Sequence, residues 1–91
     1  HNVLTAVALV DDGEVYSLLS NSEVMFVDIP QASMEAYWQT GEPADKAGAY
    51  AIQGLAAVWI REIRGSYSGI MGLPLHETAL LLKQAGIKTL L

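Results

Sequence analysis

Apolar positions run almost without a break from Val3 to Val10, with β-branched residues and one threonine. That pattern predicts a strand covered on both faces. Asp11-Asp12-Gly13-Glu14 follows, and Asp-Gly between apolar runs predicts a hairpin. Val15 to Ile29 reads as the return strand, with a bulge or exposed section expected where Asn21-Ser22-Glu23 interrupts it. The period then changes. From Pro30 to about Thr40, Met34, Tyr37 and Trp38 fall at i, i+3 and i+4 on one helical face, and Gly41 stands at the C′ position. A short helix is expected over Ala44–Tyr50. Leu55 to Ile63 reads as a strand, with Val58, Ile60 and Glu62 on one face and Ala57, Trp59, Arg61 and Ile63 on the other. Arg64-Gly65-Ser66 predicts a turn, and Tyr67 to Met71 a short returning strand that Gly72 ends. Pro74 to Ala85 predicts a last helix, Pro74 in its first turn and Gly86 just past its end. Its expected buried stripe is Leu75, Thr78, Ala79 and Leu82, and Ile87 to Leu91 reads as a ragged end. Two hairpin-like strand pairs with three helices predict a mixed α+β architecture, one sheet with helices against it.

Composition narrows the function classes. The chain has 91 residues, 52% hydrophobic, with a formal net charge of −5. That is one small domain at most, with a high ratio of surface to volume. The five basic residues are scattered, which argues against binding a nucleic acid polymer or an anionic membrane. There is no cysteine, hence no disulfide framework, thiolate nucleophile or Cys-based metal site. No stretch is long and apolar enough for a transmembrane helix, and the start shows no signal-peptide pattern, which permits an intracellular, cytoplasmic home.

The densest punctuation and charge lie in Gly41-Glu42-Pro43-Ala44-Asp45-Lys46-Ala47-Gly48-Ala49-Tyr50-Ala51-Ile52-Gln53-Gly54. Glu42 precedes Pro43, where a helix N-terminus favours an anion. Glu42, Asp45 and Lys46 admit two readings. Lys46 meets a phosphate while a carboxylate helps hold Mg²⁺, or Glu42 caps the helix while Asp45 pairs with Lys46 or Arg61. Gln53 carries an amide that donates and accepts side by side. That pair matches the O and N–H edge of a uracil or thymine ring; the plain alternative is a glutamine capping a turn. His76-Glu77 lacks the second histidine of a zincin motif, since position 80 is Leu80. Ser66 has no nucleophile elbow around it, and no Lys-Ser/Thr follows the glycines at 65, 69 and 72. Tyr37, Trp38 and Trp59 offer faces for stacking on a base, but core packing is the commoner fate of such aromatics.

This segment resembles the hallmark of the Maf family of nucleotide pyrophosphatases, historically called septum formation inhibitors. His1-x-Val3-x-Thr5-Ala6-Val7 is similar to the family strand after its middle helix, and Gly65-Ser66-Tyr67 with Gly72-Leu73-Pro74-Leu75-x-Glu77 to its C-terminal signature. The resemblance implies part of an elongated, two-lobed α/β fold of the Maf and inosine triphosphatase type, with a nucleotide cleft. It implies hydrolysis of a nucleoside triphosphate to the monophosphate and pyrophosphate with Mg²⁺ or Mn²⁺; a homodimer or other self-association is expected from the 52% hydrophobic composition of so small a domain. Gln at position 53 points to the dTTP and UTP subgroup, because a subgroup preferring methylated guanosine triphosphate has Glu there. The family's Ser-x-x-Arg-Arg-type phosphate loop, further lysines and catalytic Asp match nothing in this sequence. The chain therefore reads as a C-terminal portion, expected to be inactive alone. The alternative reading is a non-catalytic module that associates with itself or with a partner.

Overall fold

A computed structural model describes residues 1–89. Leu90 and Leu91, the tip of the predicted ragged end, lie outside the described residues; Ile87 to Thr89 have no regular structure. The elements are β1 (Asn2–Asp11), β2 (Glu14–Phe26), α1 (Gln31–Gln39), 3₁₀ turns at Glu42–Asp45 and Leu55–Trp59, β3 (Ile60–Arg64), α2 (Tyr67–Met71) and α3 (Leu75–Gln84). The strands form a three-stranded sheet in the order β1-β2-β3. The class is mixed α/β, with three helices.

The chain divides into two compact units. One comprises residues 2–23 and the chain from Arg64 onward. Its hairpin closes through Asp12 (φ 48°) and Gly13 (φ 81°), both left-handed, so the two-residue turn matches the strand twist. The antiparallel register runs unbroken from Val10↔Val15 to Asn2↔Glu23. Of the bulge or exposed section expected at Asn21-Ser22-Glu23, the bulge is absent, while Asn21 and Glu23 are exposed. Alternation absorbs the polar run instead: Ser22 is buried, while Asn21 and Glu23 point outward. β1 alternates as well. Val3, Thr5, Val7 and Leu9 are half-buried, while Leu4, Ala6, Ala8 and Val10 are exposed, so the expectation of cover on both faces is corrected.

Both α2 and α3 pack on β1. Tyr67–Met71, expected as a strand, is the helix α2. Ser66 caps it by accepting a hydrogen bond from the Gly69 amide at 2.9 Å. Gly69 is buried where a Cβ would stand 2.7 Å from Ser20 Oγ, and the Thr5 hydroxyl donates to its carbonyl at 2.7 Å. A strand of alternating side chains does not fit so close an approach. No second hairpin forms here. On α3 the buried line is Pro74, Leu81 and half-buried Glu77, Thr78, Leu82 and Ala85, not one that includes Leu75 and Ala79, which are exposed. The helix is rotated from its predicted stripe, with Leu81 as its most buried side chain.

The other unit comprises His1 and residues 24–63. α1 ends through Gly41 (φ 80°) as expected. The predicted helix over Ala44–Tyr50 is replaced by the 3₁₀ turn at Glu42–Asp45 and irregular turns up to Tyr50. The strand predicted over Leu55–Ile63 begins only at Ile60, because residues 55–59 form a 3₁₀ turn. Val24, Tyr37, Pro43 and Ala56 are buried here.

Candidate functional site

The helical face predicted from Met34, Tyr37 and Trp38 opens onto a cavity of about 400 Å³. Trp59, Tyr50 and Phe26 line it too, so its wall is largely aromatic. Tyr37 meets Trp59 edge to face, with ring centroids 5.3 Å apart. His1, Phe26 and Tyr50 form a second ring cluster, with centroids 5.0–5.6 Å apart. His1 Nε2 lies 3.0 Å from the Tyr50 hydroxyl. Burial raises the Tyr50 pKa. This His1–Tyr50 contact spans 49 positions, and no sequence pattern announces it. Ala49, also on the cavity wall, is held at φ 58°, a left-handed conformation uncommon for a residue with a Cβ.

Gln53 lies in the turn between Ala51 and Leu55. Its side chain is exposed and makes no hydrogen bond among the described residues. Gln53 does not line the cavity, but the segment bearing it supplies Tyr50 before it and Ala56 and Trp59 after it.

Glu42 faces this turn. One carboxylate oxygen accepts from the Tyr37 hydroxyl, and the other from the Leu55 amide at 3.1 Å. The Tyr37 hydroxyl in turn accepts from the Ala51 amide at 3.2 Å. Thr40 adds a local tie, donating to the Tyr37 carbonyl at 2.6 Å and accepting from the Glu42 amide at 3.2 Å. Glu42 thus acts through the loop, not as the cap of a following helix. The Tyr37 hydroxyl, and then the Leu55 amide, hold the Glu42 carboxyl below the usual carboxylate range. Burial, then the bond to Glu42, pushes the Tyr37 phenol up. The role of the Tyr37 hydroxyl was missed from sequence. The available signal was a C′ glycine turning the chain back so that Tyr37 and Glu42, five positions apart, face each other.

Asp45 and Lys46 pair with each other at 3.1 Å, both exposed, and this pair lowers the Asp45 pKa. Among the described residues no three His, Asp or Glu side chains cluster so as to hold a metal ion. Both Glu42 oxygens and one Asp45 oxygen already have partners. No helix among the described residues is long and apolar enough to cross a membrane.

Comparison of the sequence with known proteins identifies a family. A dTTP/UTP pyrophosphatase of Alkalilimnicola ehrlichii is 60% identical over 84 residues, which is 92% of this chain and 41% of that protein. One from Aromatoleum aromaticum is 59% identical over 86 residues, 94% of this chain and 42% of the relative. One from Colwellia psychrerythraea is 52% identical over 86 residues, 94% of this chain and 41% of the relative. The chain thus spans about two-fifths of the length of these curated relatives. The family profile described as Maf-like protein matches residues 1–85, so the chain belongs to the Maf-like protein family.

Proposed function

We propose that this chain is the base-recognition part, C-terminal in the whole protein, of a nucleoside triphosphate pyrophosphatase acting on dTTP and UTP. The observation that carries the reading is Gln53, exposed on a loop braced from both sides, in a chain 60% identical to a dTTP/UTP pyrophosphatase. The Gln53 amide donates to a pyrimidine carbonyl and accepts from the ring N–H. A base with a different edge leaves that amide unpaired, which is how a hydrogen-bonding site rejects it. The reaction is attack of water on the α-phosphorus with release of pyrophosphate. Mg²⁺ or Mn²⁺ supplies neutralisation of phosphate charge. The groups that hold the metal, activate the water and bind most of the phosphates are assigned to the remaining three-fifths of the protein. Lys46, exposed near this loop, is the residue of this chain available to the phosphates, and the Asp45 carboxylate beside it is available to their metal ion. The setting is the cytoplasm, where these substrates are, and a role in septum formation comes with the family alone.

The test joins this whole chain to the portion of the Alkalilimnicola relative that it does not match. Pyrophosphate release from dTTP, UTP, dCTP and GTP is then followed with Mg²⁺ or Mn²⁺. The chimera should be active on dTTP and UTP and the chain alone inactive. Gln53→Glu should lower the preference for dTTP over the other bases by about tenfold or more. An inactive chimera, or an unchanged preference in Gln53→Glu, overturns the reading.

A second reading, self-association as a homodimer, has its own observation. Leu4, Val10, Val15 and Leu19 share the outward face of the hairpin, each more than 60% exposed.

A further inference from the structure

Gly54 adopts φ −107° and ψ −152°, a backbone open to any residue. Conformation does not explain the glycine; space does. A Cβ at this position would run into the Glu42 carboxylate, overlapping its carbon and both oxygens. The far end of a glutamate ordinarily swings aside at little cost. Here both of its oxygens are engaged, one by the Tyr37 hydroxyl and one by the Leu55 amide. Gly54 is the gap that lets this carboxylate close against the loop.

The closure produces two ties across one short turn. The Tyr37 hydroxyl takes the Ala51 amide at 3.2 Å, and Glu42 takes the Leu55 amide at 3.1 Å. The Tyr37–Glu42 hydrogen bond joins the two ties into one unit. Gln53 stands midway, two residues from each tied amide, with its own side chain in solvent. Two backbone bonds join these ties: the Gly54 amide donates to the Ala51 carbonyl at 3.1 Å, and the Gly54 carbonyl accepts from the Ala57 amide at 3.1 Å. We infer that Tyr37 and Glu42, with the space left by Gly54, are positioning residues that set the orientation of the Gln53 amide and hence base preference. This rests on the reading of Gln53 as the base-contacting residue. Discrimination by an amide edge needs that edge within about 0.5 Å of its place. An exposed glutamine on an untied turn has no such definition.

The experiment uses the chimera described above. Tyr37→Phe keeps the ring against Trp59 and removes only the hydroxyl. Glu42→Ala removes the carboxylate, and Glu42→Gln keeps an oxygen for the Leu55 amide. Tyr37→Phe and Glu42→Ala should each raise KM for dTTP and lower the dTTP-over-dCTP preference about tenfold, with kcat changed by no more than about twofold. Glu42→Gln should recover most of the loss. Gly54→Ala should behave as Glu42→Ala does, and the two combined should be no worse than either alone. Amide hydrogen exchange gives a readout independent of activity. Tyr37→Phe should speed exchange at Ala51, and Glu42→Ala at Leu55, by about tenfold or more. Unchanged exchange at both amides overturns the brace. So does an unchanged preference in Tyr37→Phe when Gln53→Glu shifts it. If Gln53→Glu leaves preference untouched, the reading of Gln53 has failed, and the exchange rates alone decide the brace.

Discussion

A carboxylate whose folded-state pKa lies below its ordinary value stabilises the fold at neutral pH and loses that contribution in acid. Glu42 is such a group, lowered from 4.5 chiefly by the Tyr37 hydroxyl and then by the Leu55 amide. Its contribution is complete above about pH 4.5 and is lost as pH falls through the lower folded value. Asp45 is lowered too, but through an exposed pair with the adjacent Lys46, which solvent screens. Thermal melts between pH 7 and pH 3 should therefore show a flatter acid limb in Glu42→Gln than in the parent chain, and an almost unchanged one in Asp45→Asn. Equal acid limbs in Glu42→Gln and the parent would mean that the carboxylate bonds contribute nothing. The same residues mark what is legible at this scale. Gln53 stands out in the sequence because its amide chemistry is its own and its neighbours carry a long, ordered motif. Glu42 does not, because its partners are Tyr37, Leu55 and the missing Cβ of Gly54, joined only once the chain has turned twice. Of the two basic partners expected for Asp45 in its structural reading, Lys46 and Arg61, distance rather than residue type selects Lys46.

Elements with strong local signals were legible and those shaped by close approach were not. Asp12-Gly13 closes the hairpin because both positions take positive φ. Gly41 ends α1 for the same reason. Tyr67–Met71 and Leu55–Trp59 are short apolar runs, which periodicity alone cannot assign. Contacts decide them: the Ser66 cap and the tight seat of Gly69 against Ser20 wind α2, and the Leu55 amide held by Glu42 starts a 3₁₀ turn. For α3 the helix was legible but its face was not, because leucines at 75, 80, 81 and 82 permit several stripes. The observed face makes a sharp distinction. Leu81 is 2% exposed and Leu75 is 60% exposed. Leu81→Ala should cost about 2–5 kcal/mol by lost burial and cavity formation. Leu75→Ala should stay within about 0.5 kcal/mol, as a surface change does. Urea unfolding of the two variants measures this, and a larger loss in Leu75→Ala than in Leu81→Ala would return the helix to its predicted stripe.

At the scale of the whole molecule, a 52% hydrophobic chain of 91 residues leaves apolar side chains uncovered. The hairpin concentrates part of that surplus. Ala6 faces Leu19 and Val10 faces Val15 across the strands, with Leu4 and Ala8 on the same side. β1 read as a strand with two apolar faces, and that much of the sequence was right; what it could not show is that this chain covers only one. The relatives are more than twice as long, so two occupants are proposed for the outer face: a segment matching the part of those relatives that this chain does not span, or a second copy of this chain. The net charge of −5 opposes copies approaching one another, and apolar burial favours it. The two terms respond oppositely to salt. Screening weakens the repulsion, with a Debye length of about 10 Å at 0.1 M falling to about 3 Å at 1 M, and leaves apolar contact intact. Sedimentation of the 91-residue chain should therefore show species heavier than 9.8 kDa, increasing with salt. Leu19→Lys should return the chain to a monomer without unfolding it, because that side chain is already 61% exposed. Association that weakens with salt would assign it to charge pairing instead. Association that survives Leu19→Lys would move the contact away from the hairpin face.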